Sequence, residues 1–177
     1  KELRERNWQS LPIDPATIHT VIITHALIDH IGYLPRLVKD GFRGRIVCTH
    51  ATEDLMKIML LDAGKLQEEE AKFASKKGYS KHSKPEPLFT VEDAEVVLTM
   101  IDSVRLEKEI KIFDHVSLTY YNAGHILGAA IAEIKLQTNQ HAKKIIFSGD
   151  LGRYVDPIMY EPKNIDEADI ILVESTY

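Results

Sequence analysis

At 177 residues, 44% of them apolar, the chain is long enough for one domain with a sizeable core and too apolar for disorder. Its formal charge of −5 does not mark a nucleic-acid surface, although local fields outweigh the sum. A single cysteine, Cys48, excludes an internal disulfide, reads as a buried structural thiol and fits a reducing, cytoplasmic setting.

Residues 1–15 read as an exposed polar lead-in without the pattern of a signal peptide. The β-branched run over 21–23 predicts a buried strand ending near Thr24 and His25. A helix is expected from Asp29, whose carboxylate could cap it, with Ile31, Leu34 and Leu37 on one side. Pro35 fits only in a first turn, and Lys39-Asp40-Gly41 ends the element. Residues 45–49 predict a second strand. A longer helix follows from Glu53 to Lys77, weakened by Gly64 and stopped by Gly78.

Residues 80–87 form a polar connection with two prolines. The basic run of Lys76, Lys77, Lys81 and Lys84 reads as a solvated helix end rather than a phosphate-contacting patch. Thr90 with Asp93 predicts a capped helix to about Met100. Four strands are then expected, over 110–113, 116–121, 130–136 and 144–147, with a turn at 138–140 and a last strand over 170–173. Alternating strands and helices early, with strands dominating later, predict an α/β sheet fold rather than a bundle. None of the apolar runs is long enough to cross a membrane.

Chemistry-bearing residues gather just past predicted strands. His25-Ala26-Leu27-Ile28-Asp29-His30 places two imidazoles and a carboxylate within six residues, a donor set suited to Zn, Mn or Fe. Asn122-Ala123-Gly124-His125-Ile126-Leu127-Gly128 sets one His between two glycines. Ser148-Gly149-Asp150 ends another strand on a carboxylate that can bridge metals, and Glu174 follows the last strand as a candidate proton-transfer group. Each segment alone is compatible with a structural role: a helix cap, a turn His, a turn Asp, an exposed acid. Their shared position at strand ends favours one catalytic cleft.

The first segment resembles the His-x-His-x-Asp-His motif of the metallo-β-lactamase superfamily. With the runs around His125, Asp150 and Glu174, it resembles the β-CASP nucleases that process RNA. The resemblance covers residues 18–177 and implies an αββα sandwich of which residues 1–177 are the N-terminal part, the β-CASP cap domain and C-terminal part lying outside this chain. It implies two zinc ions and a water that attacks RNA phosphodiesters. By motif matching the metal ligands are His25, Asp29, His30, His125 and Asp150, with Asp29, Asp150 and Glu174 as catalytic residues. Leu27 occupies a position where the motif has a ligand His, and leucine offers no lone pair. His50 is a surface or turn His here, with a compensating ligand role as the lesser alternative. Tyr120 and Tyr121 are expected to pack rather than stack on bases. The strands after Lys144 and Asp169 are expected to pair with strands beyond this span, leaving edges for self-association or a partner chain. Two other functions stay open: a non-catalytic nucleic-acid-binding or assembly protein on the same fold, which Leu27 favours, and a small-molecule thioester or lactone hydrolase.

Overall fold

The computed structural model describes residues 6–77, 85–138 and 141–175. The expected stop at Gly78, Lys81 and Lys84 of the basic run, and the centre of the 138–140 turn lie outside the described residues. The elements are β1 (Thr20–Ile22), α1 (Ile28–Ile31), α2 (Leu34–Lys39), β2 (Arg45–Thr49), α3 (His50–Lys77), α4 (Val91–Leu98), β3 (Ile101–Val104), β4 (Ile110–Phe113), β5 (Val116–Asn122), β6 (Ala130–Gln137), β7 (Ala142–Phe147) and β8 (Ile170–Leu172). They form an α/β sandwich with a three-stranded sheet, ordered β1-β2-β3, and a five-stranded sheet, ordered β4-β5-β6-β7-β8. Among the described residues no helix is long and apolar enough to cross a membrane.

The chain divides into two compact units. One holds Lys1–Val21, Leu27–Arg45 and Leu55–Ile101. Its helix α2 buries Leu34, Pro35, Leu37 and Val38, and α4 buries Ala94 and Val97. The expected helix from Asp29 is two helices: Pro35 sits in the first turn of α2, where its missing N–H and fixed φ are tolerated, so a new helix starts there. Helix α4 carries the expected capping box, Thr90 accepting from the Asp93 amide and Asp93 from the Thr90 amide. Gly64 is explained by closeness rather than flexibility, since a Cβ there would lie 2.9 Å from Val91 N. Neighbouring Gln67 and Glu68 accept the Leu88 and Val91 amides, each at 2.9 Å.

The other unit holds Ile22–Ala26, Ile46–Asp54 and Asp102–Tyr177. Its core joins the two sheets. Val47, Ile22 and Val104 of the small sheet pack with Ile112, Leu118, Tyr120, Ala130 and Ala132 of the large one. Strand β5, expected over 116–121, does not bury alternate residues: Leu118, Thr119 and Tyr120 are all buried. Strand β3, which the sequence reading did not anticipate, has only one exposed position and no flanking turn signal before it.

Pairing corrects one expectation. Strand β7 is not left for outside strands: it pairs antiparallel with β6 and parallel with β8, matching Phe147 with Leu172. Parallel pairing needs a long connection, and residues between the two strands supply it. Ile170, Ile171, Leu172 and Val173 are exposed. Cys48 is buried, as expected of a structural thiol.

Candidate metal centre

Strand β1 is followed by Ile23, Thr24 and His25, and His25 is fully buried. Hydrogen bonds from neighbouring strands hold this strand end in place. The Tyr120 hydroxyl lies 2.8 Å from the Ile23 carbonyl and 2.9 Å from the Val47 carbonyl, and the Ala130 amide donates to the Thr24 carbonyl at 2.9 Å. The Thr24 hydroxyl lies 3.1 Å from Nδ1 of His25. That contact fixes the ring and leaves Nε2 as the nitrogen that faces the site.

His125 sits on the turn between β5 and β6. The turn depends on glycine, with Gly124 at φ 68° and Gly128 at φ 79°. The Thr49 and Thr52 hydroxyls both donate to the Gly128 carbonyl, at 2.7 and 2.9 Å. Asn122 accepts the Gly124 amide through its side chain while its Nδ2 donates to the Tyr160 and Glu161 carbonyls. Asp150 follows β7, one residue after Gly149 at φ 56°. The Gly152 amide donates to the Ala123 carbonyl at 2.8 Å and so ties the Asp150 turn to the His125 turn.

The result is convergence. Nε2 of His25 and Nε2 of His125 each stand 3.7 Å from the same oxygen, Oδ2 of Asp150. The two rings meet edge to face, centroids 5.2 Å apart. Among the described residues, this trio forms the group whose ligand atoms lie within 4.8 Å of one another. A divalent cation fits it on three grounds. Nε2 of His125 is buried without a hydrogen-bond partner among the described residues, an arrangement that is expensive unless something is coordinated there. Separations of 3.7 Å are too long for hydrogen bonds yet close to the roughly 3.3 Å expected between ligands at about 2.0–2.1 Å from one tetrahedral ion. Two imidazoles and a carboxylate are also a common donor set for zinc.

The other sequence-predicted residues are not members of this trio. Asp29 and His30 lie on α1, in the other unit, paired with each other at 3.6 Å with Asp29 72% exposed. The N-cap of α1 is Leu27, with no side-chain cap bond, so Asp29 does not cap this helix as the sequence suggested. His50 opens α3, and its Nδ1 lies 2.8 Å from the Ser103 hydroxyl, so it is the surface His that was expected and not part of the trio. Tyr120 packs in the core, where burial raises its hydroxyl pKa well above the usual value. Glu174 accepts the Leu151 amide at 2.7 Å and is half-buried rather than a free terminal acid. Thr24, Asn122 and Ser148 are the supporting residues that sequence reasoning missed; polar residues beside a motif carry no periodic signal.

An α/β sandwich with a His, His, Asp cluster at its strand ends defines a fold capable of holding a metal. The chain belongs to the metallo-beta-lactamase superfamily, whose domain model matches residues 5–173. It is similar to a ribonuclease of Thermus thermophilus, at 31% identity over 97% of this chain and 35% of that protein. It is also similar to an RNase J-like protein of Methanocaldococcus jannaschii, at 31% identity over 93% of this chain and 33% of that one. A transcription termination factor, FttA, of Cenarchaeum symbiosum is 28% identical over 97% of this chain and 24% of its own length. The chain thus spans between 24% and 35% of the length of these relatives.

Proposed function

We propose that this chain is the metal-holding part of a β-CASP-type hydrolase that cleaves RNA phosphodiester bonds with an activated water. The observation that carries the assignment is the meeting of His25 and His125 on one oxygen of Asp150. Similarity to proteins named ribonuclease and endoribonuclease supports RNA as the substrate and partner. Zinc is the ion the donor set favours. When bound, such a cation lowers the pKa of water toward neutrality and offsets charge building on the phosphate oxygens.

The chain's own groups prepare that chemistry. Thr24 holds the His25 ring so that Nε2 faces the site. Asp150 would bring the negative charge that favours a dication beside the imidazoles of His25 and His125. Asp29 and His30 are the proposed donors to a second ion, while Leu27 withholds one donor from the first. The exposed apolar residues of β8 support a covering partner chain or second copy.

Leu27 favours a second reading, a nucleic-acid-binding protein that does not cut. One experiment separates the two. The intact protein, loaded with zinc or manganese, is incubated with end-labelled single-stranded RNA while metal content is measured by mass spectrometry. The hydrolase assignment expects cleavage, which falls to background together with metal content in Asp150→Ala, and faster cleavage in Leu27→His. Binding without cleavage at saturating metal selects the second reading. Unchanged turnover and metal content in Asp150→Ala overturns the site itself.

A further inference from the structure

The segment that joins Asp150 to β8 is fastened twice to the turn that carries His125. At its start the Gly152 amide donates to the Ala123 carbonyl at 2.8 Å, and further on the Lys163 amide donates to the Asn122 carbonyl at 2.9 Å. Nδ2 of Asn122 also donates to the Tyr160 and Glu161 carbonyls, at 3.1 and 3.0 Å. The approach is close: a Cβ on Gly124 would lie 2.6 Å from the Tyr160 carbonyl oxygen. Between the two fastenings, Oδ1 of Asp156 accepts the Ile158 and Met159 amides at 2.8 and 2.7 Å and holds the bend. A loop with joined ends and an internal turn has its shape before anything binds.

The large side chains of this loop nonetheless face solvent. Tyr160 is 86% exposed, Tyr154 66%, Val155 91% and Ile158 87%. Tyr120, by contrast, is buried, and Tyr33 and Tyr121 are half-buried. Large apolar groups gathered on one braced, exposed loop mark a binding surface. Consecutive Cα atoms are about 3.8 Å apart, so the Tyr160 carbonyl, resting on Gly124, is held one residue from His125. A phosphodiester drawn to the His25, His125 and Asp150 trio carries a nucleoside on each side, and this loop stands at that rim. The chain's formal charge of −5 offers a polyanion little long-range attraction, and Lys163 of the loop is already paired with Glu107 at 3.6 Å. Contact with bases is what the loop can supply, because every base has a π face and stacking on tyrosine needs no cation.

We propose that residues 151–163 form a stacking ledge for single-stranded RNA, with Tyr160 and Tyr154 as the rings on which bases beside the scissile phosphate lie. The proposal rests on the hydrolase assignment above for placing an RNA strand across the trio. A protein occupant of the same loop, either another part of the same protein or a second copy, is the competing outcome.

The test measures binding by the intact protein, held metal-free in chelator so that no strand is cut. The probes are a fluorescent single-stranded RNA and a strand of equal length whose sugars lack bases. Fluorescence anisotropy gives both affinities for wild type, Tyr154→Ala, Tyr160→Ala, Tyr160→Leu and Tyr160→Phe. The ledge predicts that wild type prefers the base-bearing strand. Tyr154→Ala and Tyr160→Ala each cut that preference by about 5- to 150-fold, the worth of stacking one base. Tyr160→Leu falls with Tyr160→Ala, while Tyr160→Phe keeps the preference, because the π face matters and neither bulk nor the hydroxyl replaces it. The slope of affinity against salt stays the same throughout, since no phosphate contact is lost. A wild-type protein without the preference, or alanine proteins that retain it, overturns the ledge. Alanine proteins that retain it but sediment or unfold differently from wild type assign the loop to a protein contact instead. A zinc-loaded wild type that cuts no RNA, yet binds bases through these rings, sinks the hydrolase assignment and leaves the ledge standing.

Discussion

The turns bearing His125 and Asp150 and the short helix bearing Asp29 and His30 are built to different standards. The first two are cross-tied by hydrogen bonds from β2, α3, β5 and the residues just after β8, and their glycines adopt backbone angles that other residues rarely take. Helix α1 is a single turn with no side-chain cap, and its two candidate ligands face water and each other. A short helix without a cap has little of its own to hold its side chains. Where a ligand sits on a braced turn, its geometry exists before any ion arrives. Where it sits on a single uncapped turn, the ion must help to order it.

That contrast fails if the braced side proves as tolerant as the other. The largest effect is expected at Gly149. Its φ is 56°, and a Cβ there would come within 2.8 Å of Thr24 Cβ and 2.9 Å of Thr24 Oγ1, the hydroxyl that orients His25. Gly149→Ala therefore strains the Asp150 turn and pushes the His25 support at once. A destabilisation of about 1–3 kcal/mol is expected, seen as a lower unfolding midpoint in denaturant, together with loss of zinc affinity. An alanine protein of unchanged midpoint and affinity would show that the turn is not rigid. The next effect is narrower. Thr24→Val keeps the shape of the side chain but removes the bond to Nδ1 of His25. Zinc affinity should fall by about 10- to 100-fold with a nearly unchanged unfolding midpoint, because an outer partner of a ligand tunes the metal more than the fold.

The same contrast explains what could be read from the sequence. The trio was legible because each member follows a strand that its own residues announce, such as Val21-Ile22-Ile23 before His25 and Ile145-Ile146-Phe147 before Asp150. The capping box of α4 was legible because its signal is local. The pairing of β7 with β8 was not, because register between strands separated by a long connection depends on tertiary packing and leaves no periodic mark. The division of the expected Asp29 helix turned on how firmly Pro35 starts a new element. Thr24, Asn122 and Ser148 went unread because their work is done by single hydroxyl and amide contacts that leave no periodic pattern in the sequence.

The smallest expected effect lies one layer beneath the site and carries its own pH signature. The buried Tyr120 hydroxyl sits against the Ile23 and Val47 carbonyls, steadying the strand end that leads to His25; α1 has no comparable side-chain cap bond. Tyr120→Phe removes the donor and keeps the ring, for an expected loss of about 0.5–1.5 kcal/mol at neutral pH. Burial disfavours the phenolate, so the folded pKa lies well above the ordinary value of 10.0. The unfolded chain ionises first as pH rises, and ionisation pulls the equilibrium toward it. The stability tied to Tyr120 is thus fully present below about pH 10 and drains away as pH climbs from there toward the folded pKa. Denaturant melts between pH 8 and 11 should show wild-type stability falling more steeply than that of Tyr120→Phe, so that the gap between them narrows. Parallel curves would mean that the hydroxyl ionises as readily in the folded protein as in water, which a buried brace cannot do.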